Sequence, residues 1–290
     1  MSGPARRRSR AGRAFAAAAA ALLLEGCGSS KPPVVDTVPP ELPAGFGSGD
    51  RPAILVFSKT TGYRHEDGIP ACEAAVRAIA ERRGWSVFAT ENAAVFNDAQ
   101  LARVDVILGN NSTGDNWTEE QKAAFRRFIE GGGGFVGLHG AGGTEEHFWD
   151  WYQGTLIGAH FLAHPALPDY QVATLHVERR DHPATRHLEA TWTREDEWYS
   201  FEENPRERGV NVLLSLDEKT YQPKQLWRDI SMGDHPIVWS HCVGRGRSFF
   251  SALGHKGSYY AEPAHASLIE GAIAWAAGLE GSCGHPISGP

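Results

Sequence analysis

The sequence predicts an α/β fold with a mostly parallel central sheet, and two kinds of segment support this prediction. Short, continuous apolar runs indicate strands that are buried on both faces, which is typical of parallel sheets. Between them lie segments with apolar residues three or four positions apart, which indicate amphipathic helices. A length of 290 residues with 41% hydrophobic residues is enough for a sizeable core.

The first half of the folded region alternates strands with helices. Residues 53–58 form an apolar run, and a helix is expected over about 69–83, ended by Gly84. Thr118 and Gln121 have the spacing of a capping box at the start of a second helix. The glycines at 131–134 are interpreted as a helix end and tight turn, because they lack the Lys-Ser/Thr of a phosphate-binding loop. Further strands are predicted at 85–90, 104–108 and 135–138.

The second half continues with apolar runs but has fewer helical segments. A final helix is expected over about 264–277. Strands are predicted at 173–178, 210–216, 236–241 and 247–252. No internal repeat is evident, so one domain over 51–280 with a short tail at 281–290 is the simplest division.

The first 26 residues have the organisation of a secretory signal peptide. Five arginines precede an apolar run over 14–24, and these eleven residues are too few to span a bilayer about 30 Å thick as a helix. The segment ending in Gly26-Cys27 is similar to a bacterial lipobox, although Glu25 replaces its usual small residue. We expect an exported protein that is lipidated at Cys27 and anchored to the membrane of the cell envelope; a plain signal peptide or an uncleaved anchor are the alternatives.

Removal of the signal peptide changes the charge of the protein. It takes away five arginines and one glutamate, so the formal charge changes from −7 to −11. This acidic balance disfavours a nucleic-acid partner. Residues 27–50 are rich in Pro, Gly and Ser and are predicted to form a tether between membrane and domain.

Four cysteines occur, at Cys27, Cys72, Cys242 and Cys283, and none has the spacing of a metal finger. A disulfide between Cys242 and Cys283 is compatible with export, and Cys72 is compatible with a buried free thiol. The sequence leaves the pairing open.

Three of the thirteen histidines follow predicted strands. His65 lies in the loop after the first strand, His139 directly follows the strand at 135–138, and His255 follows the strand at 247–252. If these strands are parallel, the three imidazoles meet at one edge of the sheet, where they could act as general acid or base or bind a metal. Each of them alone is more typical of a surface or hydrogen-bonded structural histidine.

Two further segments carry polar and aromatic residues. Trp149 and Trp151 could stack on a sugar or pack in the core. His160 and His164 have the spacing of a helical zinc pair, but Pro165 indicates that the helix ends earlier. The acidic run 195–197 precedes Trp198 and Tyr199, so we expect Asp196 or Glu197 to point into a partly apolar setting, where it could bind sugar hydroxyls, orient a histidine or hold a metal.

Six motifs together resemble the ThuA-like (trehalose-utilisation) domain proteins. They run in order across about 53–278, which makes the set specific although each motif alone is weak. They lie at 59–65, 132–139, 151–152 with 164–165, 196–199, 234–239 and 252–255.

The resemblance implies a three-layer α/β sandwich of the class I glutamine amidotransferase-like (flavodoxin-like) type. It also implies a role in sugar utilisation, particularly of glycosides that partner dehydrogenases oxidise to keto-sugars. Amidotransferases of this fold have a nucleophilic Cys where this chain has His139, so glutaminase activity is disfavoured. Family members often have an Asp in the next loop, where this chain has Gly142-Gly143 and Glu145 is the nearest acid.

The leading hypothesis is therefore an enzyme that acts on a small sugar or keto-glycoside by hydrolysis, elimination or isomerisation. The catalytic candidates are His65, His139, Glu197 and His255, which could also hold a divalent metal such as zinc. The candidates for substrate binding are Lys59, Tyr63, Glu145, Tyr152, His164, Asp196 and Trp239. The alternatives are a non-catalytic carbohydrate-binding lipoprotein and a metal-dependent hydrolase.

Overall fold

The structure, a computed structural model, describes residues 1, 3, 35–49 and 51–283. The predicted lipidation site Cys27 and nearly all of the predicted signal peptide lie outside the described residues, as do residues 284–290 of the predicted tail. Within the described ranges, no helix has the length and apolar character that crossing a membrane requires.

The strands and helices follow the predicted alternation. In the described ranges the strands are β1 (Ala53–Phe57), β2 (Ser86–Thr90), β3 (Val106–Asn110), β4 (Gly134–Leu138), β5 (Phe161–Ala163), β6 (Gln171–Val177), β7 (Thr191–Asp196), β8 (Ser200–Phe201), β9 (Asn211–Leu216), β10 (Lys224–Gln225), β11 (Arg228–Asp229), β12 (Pro236–Val243) and β13 (Gly246–Ser251). The α-helices there are α1 (Gly68–Arg83), α2 (Asp98–Leu101), α3 (Glu119–Glu130) and α4 (Pro263–Ala276).

Nine strands form one central sheet in the order β2-β1-β3-β4-β13-β12-β9-β6-β7. The pairings from β2 to β13 are parallel and the remaining ones antiparallel, so within this sheet only β6 and β12 run against the other seven strands. This confirms the predicted α/β fold with a mostly parallel sheet. β1, β3 and β4 are buried along their whole length, as their continuous apolar sequences predict.

Helix ends follow the local sequence signals. Gly84 ends α1 with a φ of 69°, a left-handed conformation that glycine adopts without strain. Thr118 and Gln121 exchange both bonds of a capping box at the start of α3. α1 and α4 pack against each other and against the parallel part of the sheet, while α3 packs against α2 and β13.

The second half of the predicted tether packs on the domain. Leu42 and Phe46 are buried in the core, and Phe46 is only 3% exposed. Asp36 accepts hydrogen bonds from the Lys59 ammonium and the Ala93 backbone amide. Residues 35–49 therefore belong to the folded domain, because two buried apolar side chains and a partly buried ion pair hold them there.

One disulfide joins the end of β12 to the chain beyond α4. It links Cys242 to Cys283, the pairing that the sequence left open, and Cys72 is a buried free thiol on α1.

Candidate active site

Four candidate catalytic side chains meet at the carboxyl edge of the sheet. His65 lies between β1 and α1, His139 follows β4, Glu197 follows β7, and His255 follows β13. One ligand atom from each, a ring nitrogen or a carboxylate oxygen, lies within 4.8 Å of all the others. Because β1, β4, β7 and β13 run in the same direction, their carboxyl ends share one edge of the sheet. Ligands bind at this edge in open α/β folds.

The backbone around His139 is shaped for close packing. His139 has a φ of 45°, a strained left-handed conformation for a non-glycine residue, directly after β4. A Cβ on the next residue, Gly140, would lie 3.0 Å from the His65 ring and 3.1 Å from the Asn111 carbonyl oxygen. A glycine at 140 therefore lets the two histidines approach each other.

His139 is fixed in one tautomer by the backbone. Its Nδ1 lies 2.7 Å from the Ala252 carbonyl oxygen, which can only accept, so Nδ1 carries the proton. Its Nε2 then presents a lone pair to the Tyr199 hydroxyl at 2.9 Å and to His255 Nδ1 at 3.2 Å. His139 is fully buried and does not line the pocket, but it contacts Tyr199 and His255, which do.

His255 links Glu197 to a second tyrosine. Its Nδ1 lies 3.0 Å from Glu197 Oε2, and its Nε2 lies 2.9 Å from the Tyr170 hydroxyl. The Lys256 ammonium lies 3.9 Å from the centre of the Tyr170 ring and holds that ring in place. Both nitrogens of His255 are therefore occupied by defined partners.

Asp196 supports the loop that carries His255. Its carboxylate accepts hydrogen bonds from the backbone amides of Gly254, at 2.9 Å, and His255, at 3.3 Å. The buried Arg194 pairs with the same carboxylate at 3.1 Å. Asp196 is completely buried behind this loop and does not line the pocket, so its position fits the expected role of orienting a histidine better than contact with substrate.

Burial and neighbouring groups set the charges in the cluster. Burial works to raise the pKa of Glu197, but the hydrogen bond from His255 and the nearby His139 ring outweigh it and hold the pKa below its ordinary value. Burial, together with the nearby His139 and His255, lowers the pKa of His65 to about 2. Burial is the main reason that the pKa of Tyr170 is raised to about 12 and that of Tyr199 well above 10. Near neutral pH the site thus holds an ionised Glu197, a neutral His65 and two protonated phenols.

A pocket of about 440 Å³ opens above this cluster. Three substrate-binding candidates line it, namely Tyr63, Glu145 and His164, together with the catalytic candidates His65, Glu197 and His255. Residues that the sequence analysis did not select also line it: Gly62, Thr113, Gly143, Thr144, Phe161, Asp169, Tyr170 and Tyr199. A larger surface cavity lies at the opposite end of β4, where Arg127, Arg245 and Arg247 bond to Asp98 and to backbone carbonyls.

Three other substrate-binding candidates lie away from the pocket. The Tyr152 hydroxyl donates to the Ala141 carbonyl oxygen from within the aromatic core, and the Trp239 indole donates to the Ile157 carbonyl oxygen. Lys59 pairs with Asp36. The residue type alone does not show whether an aromatic or basic side chain lies in the core, in an ion pair or in a pocket. In these three cases the tertiary packing places the side chain away from the pocket.

The histidine pair at 160 and 164 does not form a metal site. The short π-helix Trp151–Ile157 ends before His160, so the two residues do not share a helix face. His160 pairs with Glu203, whereas His164 lies 3.4 Å from Glu197 Oε1. Trp149 and Trp151 pack with the core cluster, as one of their two interpretations predicts.

The glycines at 142 and 143 leave room for two rings. A Cβ on Gly143 would lie 2.5 Å from the Tyr199 hydroxyl, and a Cβ on Gly142 would lie 2.6 Å from the Phe250 ring. An aspartate at either position would displace one of these rings. Glu145 lines the pocket but is not part of the four-residue cluster.

The solved structures that resemble the chain include two proteins from bacteria of the Bacteroides and Parabacteroides genera. A protein described as ThuA-like from Bacteroides uniformis has 25% sequence identity and a TM-score of 0.67, with 79% of this chain and 93% of that chain covered. Another described as ThuA-like, from Parabacteroides merdae, has 18% identity and a TM-score of 0.60, with 80% and 92% covered, and shows the fold alone. No curated protein matches the sequence.

The family comparison covers most of the chain. The model of the family named ThuA and described as trehalose utilisation matches residues 53–276, which include the four clustered side chains and every strand of the central sheet. This description connects the chain with carbohydrate metabolism. The chain belongs to the ThuA family.

Proposed function

We propose that the protein is an enzyme that processes a small sugar or keto-glycoside, by hydrolysis, elimination or isomerisation. The observation that carries the proposal is the floor of the pocket, where an ionised Glu197 and His255 lie 3.0 Å apart and both face the cavity. Two buried partners, His139 and Asp196, fix them from behind. Such an arrangement is typical of general acid and base catalysis.

The pocket suits a polar ligand of limited size. Its volume lies in the range of roughly 300–1,000 Å³ that is usual for small-molecule sites. Tyr63, Phe161 and Tyr170 offer aromatic surface for the apolar face of a sugar ring, and Thr113, Thr144 and Glu145 offer groups for hydroxyls.

A keto-sugar fits the proton-transfer groups. A ketone acidifies the neighbouring C–H, so one positioned base can remove that proton, while a phenol donor can stabilise the oxygen anion that forms. Glu197 or His255 would take the proton. Tyr170, which stays protonated because its pKa is raised, would donate to the oxygen when His255 Nε2 carries a proton and donates to the Tyr170 hydroxyl, whereas Tyr199 keeps its proton on His139 Nε2.

The test is turnover of a panel of glucosides and 3-keto-glucosides. We expect product with the wild-type protein and a loss of at least about a hundredfold in His139→Ala, His255→Ala and Glu197→Gln. His176→Ala is the control, because His176 is an exposed residue on β6 that pairs only weakly with Asp217 at 3.6 Å. Unchanged turnover in the three site variants would overturn the proposal. Tight sugar binding without any product would favour a non-catalytic carbohydrate-binding lipoprotein.

We also propose that the protein is exported and anchored through a lipid on Cys27. The Cys242–Cys283 disulfide supports this, because disulfides persist in oxidising compartments. Cell fractionation tests it: the wild-type protein should sediment with membranes and Cys27→Ser should not. Recovery of the wild-type protein in the cytoplasm would contradict export.

A further inference from the structure

We infer that His65, His139, Glu197 and His255 form the binding site of one divalent transition-metal ion, such as zinc. The inference deepens the proposed function and rests on it for the sugar chemistry, whereas metal binding can be measured by itself. Three imidazoles and one carboxylate are a donor set that suits zinc and neighbouring metals.

The spacing of the donor atoms fits a shared ion. His255 Nδ1 lies 3.0 Å from Glu197 Oε2, and His139 Nε2 lies 3.2 Å from the former and 3.4 Å from the latter. At metal–ligand distances of about 2.0–2.2 Å, neighbouring ligands of a tetrahedral ion lie about 3.3 Å apart. These three atoms can therefore ligate one ion with little movement.

His65 completes the set. The centre of its ring lies 4.8 Å from that of His139 and 4.7 Å from that of His255. Its Nδ1 is buried without a hydrogen-bond partner. Burial of a polar atom without a partner costs free energy, so an unpaired ring nitrogen among other ligand-type side chains points to a bound ion.

The outer nitrogens of two histidines have the partners that metal ligands require. A metal-bound histidine usually donates its other N–H to an oxygen, which fixes the ring and raises its basicity. His139 Nδ1 has the Ala252 carbonyl oxygen at 2.7 Å, and His255 Nε2 has the Tyr170 hydroxyl at 2.9 Å. Both rings thus turn their remaining nitrogen toward Glu197.

A cation also resolves a conflict inside the cluster. His139 Nδ1 carries the ring proton and donates it in a hydrogen bond to the Ala252 carbonyl oxygen. The Nε2 atom therefore presents a lone pair to the carboxylate oxygen of Glu197, which is also an acceptor. The Tyr199 hydroxyl lies 2.9 Å from Nε2 and supplies it with one proton. A positive ion between the two acceptors would bind both.

The ion would be open to substrate. His65, Glu197 and His255 line the pocket, while His139 closes the site from the core side. When bound there, the ion would polarise a sugar carbonyl or activate water. Glu197 and His255 would then act as ligands in place of their role as the base, and Tyr170, Tyr199 and His164 would be the groups left to move protons beside the ion.

The first test is the metal content of the full-length protein purified without chelator. We expect about one equivalent of metal per chain. After removal of the metal with a chelator, calorimetric titration with Zn²⁺ alone should show one site, and Co²⁺ should give a visible absorption band typical of nitrogen and oxygen ligands. Absence of stoichiometric metal, together with no saturable binding of Zn²⁺ or Co²⁺, would overturn the inference.

Variants locate the site. Glu197→Gln and His65→Ala should weaken Zn²⁺ binding at least about a hundredfold, and Tyr170→Phe about tenfold through the outer bond to His255. His176→Ala should bind as the wild type does, and circular dichroism checks that each variant is folded. Undiminished binding in Glu197→Gln and in His65→Ala would place the ion elsewhere and overturn the inference. Metal binding without turnover would refute only the proposed function, and full turnover by a protein that shows no saturable metal binding would refute only this inference.

Discussion

Among single residues, Tyr199 gives the sharpest test of whether the cluster takes part in catalysis or is only packed together. Its hydroxyl lies 2.9 Å from His139 Nε2, it lines the pocket, and its pKa is raised, so it remains a donor. We expect Tyr199→Phe to lower kcat about tenfold to a hundredfold, with a smaller change in KM, because the ring and its packing remain.

Tyr221→Phe is the matched control for this prediction. Tyr221 is also buried, and its hydroxyl also lies near a histidine nitrogen, His235 Nδ1 at 3.4 Å, outside the cluster. Steady-state kinetics on both variants decide the matter. An equal effect of the two substitutions on kcat would show that loss of a buried hydroxyl, rather than its place at His139, is responsible.

Buried histidines outside the site make stability depend on pH. Burial lowers the pKa values of His182 and His241 to about 4. In the unfolded chain they titrate near 6.5, so between pH 6.5 and 4 the unfolded state binds protons that the folded state does not. The free energy of unfolding should therefore decrease as the pH is lowered from 6.5 to 4, by up to about 1.4 kcal/mol per pH unit for each histidine.

The variant His182→Asn tests this contribution. The side-chain oxygen of the introduced asparagine can take over the bond that the Ala184 backbone amide makes to His182 Nδ1, at 3.1 Å, while the titrating group is lost. Urea unfolding at pH 7, 6 and 5 should show a shallower loss of stability for the variant. Parallel curves for the two proteins would contradict the assigned pKa direction.

Among the elements, the segment 35–49 shows how the structure extends the sequence prediction. Phe46 is buried, and its ring packs edge-on against Phe88 of β2 with the centres 6.1 Å apart. We expect Phe46→Ala to reduce the free energy of unfolding by about 3 kcal/mol. Val38→Ala should change it by less than about 0.5 kcal/mol, because Val38 is 74% exposed. Chemical denaturation measures both, and equal effects would mean that the segment does not pack as described.

The strands and helices were the most predictable part of the molecule. The runs of β1, β3 and β4 are apolar because these strands are buried on both faces, and the capping box of α3 is a local signal. β7 was not predicted, because its sequence Thr191–Asp196 is polar and charged and ends within the acidic run 195–197, a pattern that is more usual in solvated loops. It lies at the edge of the sheet, where Arg194 and Asp196 are buried as a pair rather than as separate charges.

Only the meeting of the three histidines could be predicted from the sequence, because it follows from their positions after parallel strands. His65, His139 and His255 follow strands, and parallel strands share their carboxyl edge. Tyr170 was missed because it precedes a strand in an otherwise irregular loop, so neither periodicity nor a motif marks it. The position of Tyr199 beside Glu197 was visible in the sequence, but its bond to His139 depends on the tertiary fold.

For the whole molecule, the disulfide is the main covalent constraint in the described part of the chain. It closes a loop with a sequence separation of 41 between Cys242 and Cys283. Its removal should cost about 4 kcal/mol, because the unfolded chain regains the entropy of the open loop. Thermal unfolding with and without a reductant tests this, and the double variant Cys242→Ser/Cys283→Ser should not respond to the reductant. Equal melting temperatures for the oxidised and reduced wild-type protein would contradict the prediction.

Proton exchange between a keto-sugar and the solvent tests most directly whether the His–Glu cluster is a reactive centre for sugar chemistry. A 3-keto-glucoside is incubated with the protein in D₂O, and nuclear magnetic resonance follows deuterium entering the carbons beside the ketone. We expect the wild-type protein to accelerate this exchange, or product formation, at least about a hundredfold over Glu197→Gln, and His176→Ala to equal the wild type. Exchange and product formation by the wild-type protein no faster than in buffer, or no faster than with Glu197→Gln, would contradict it.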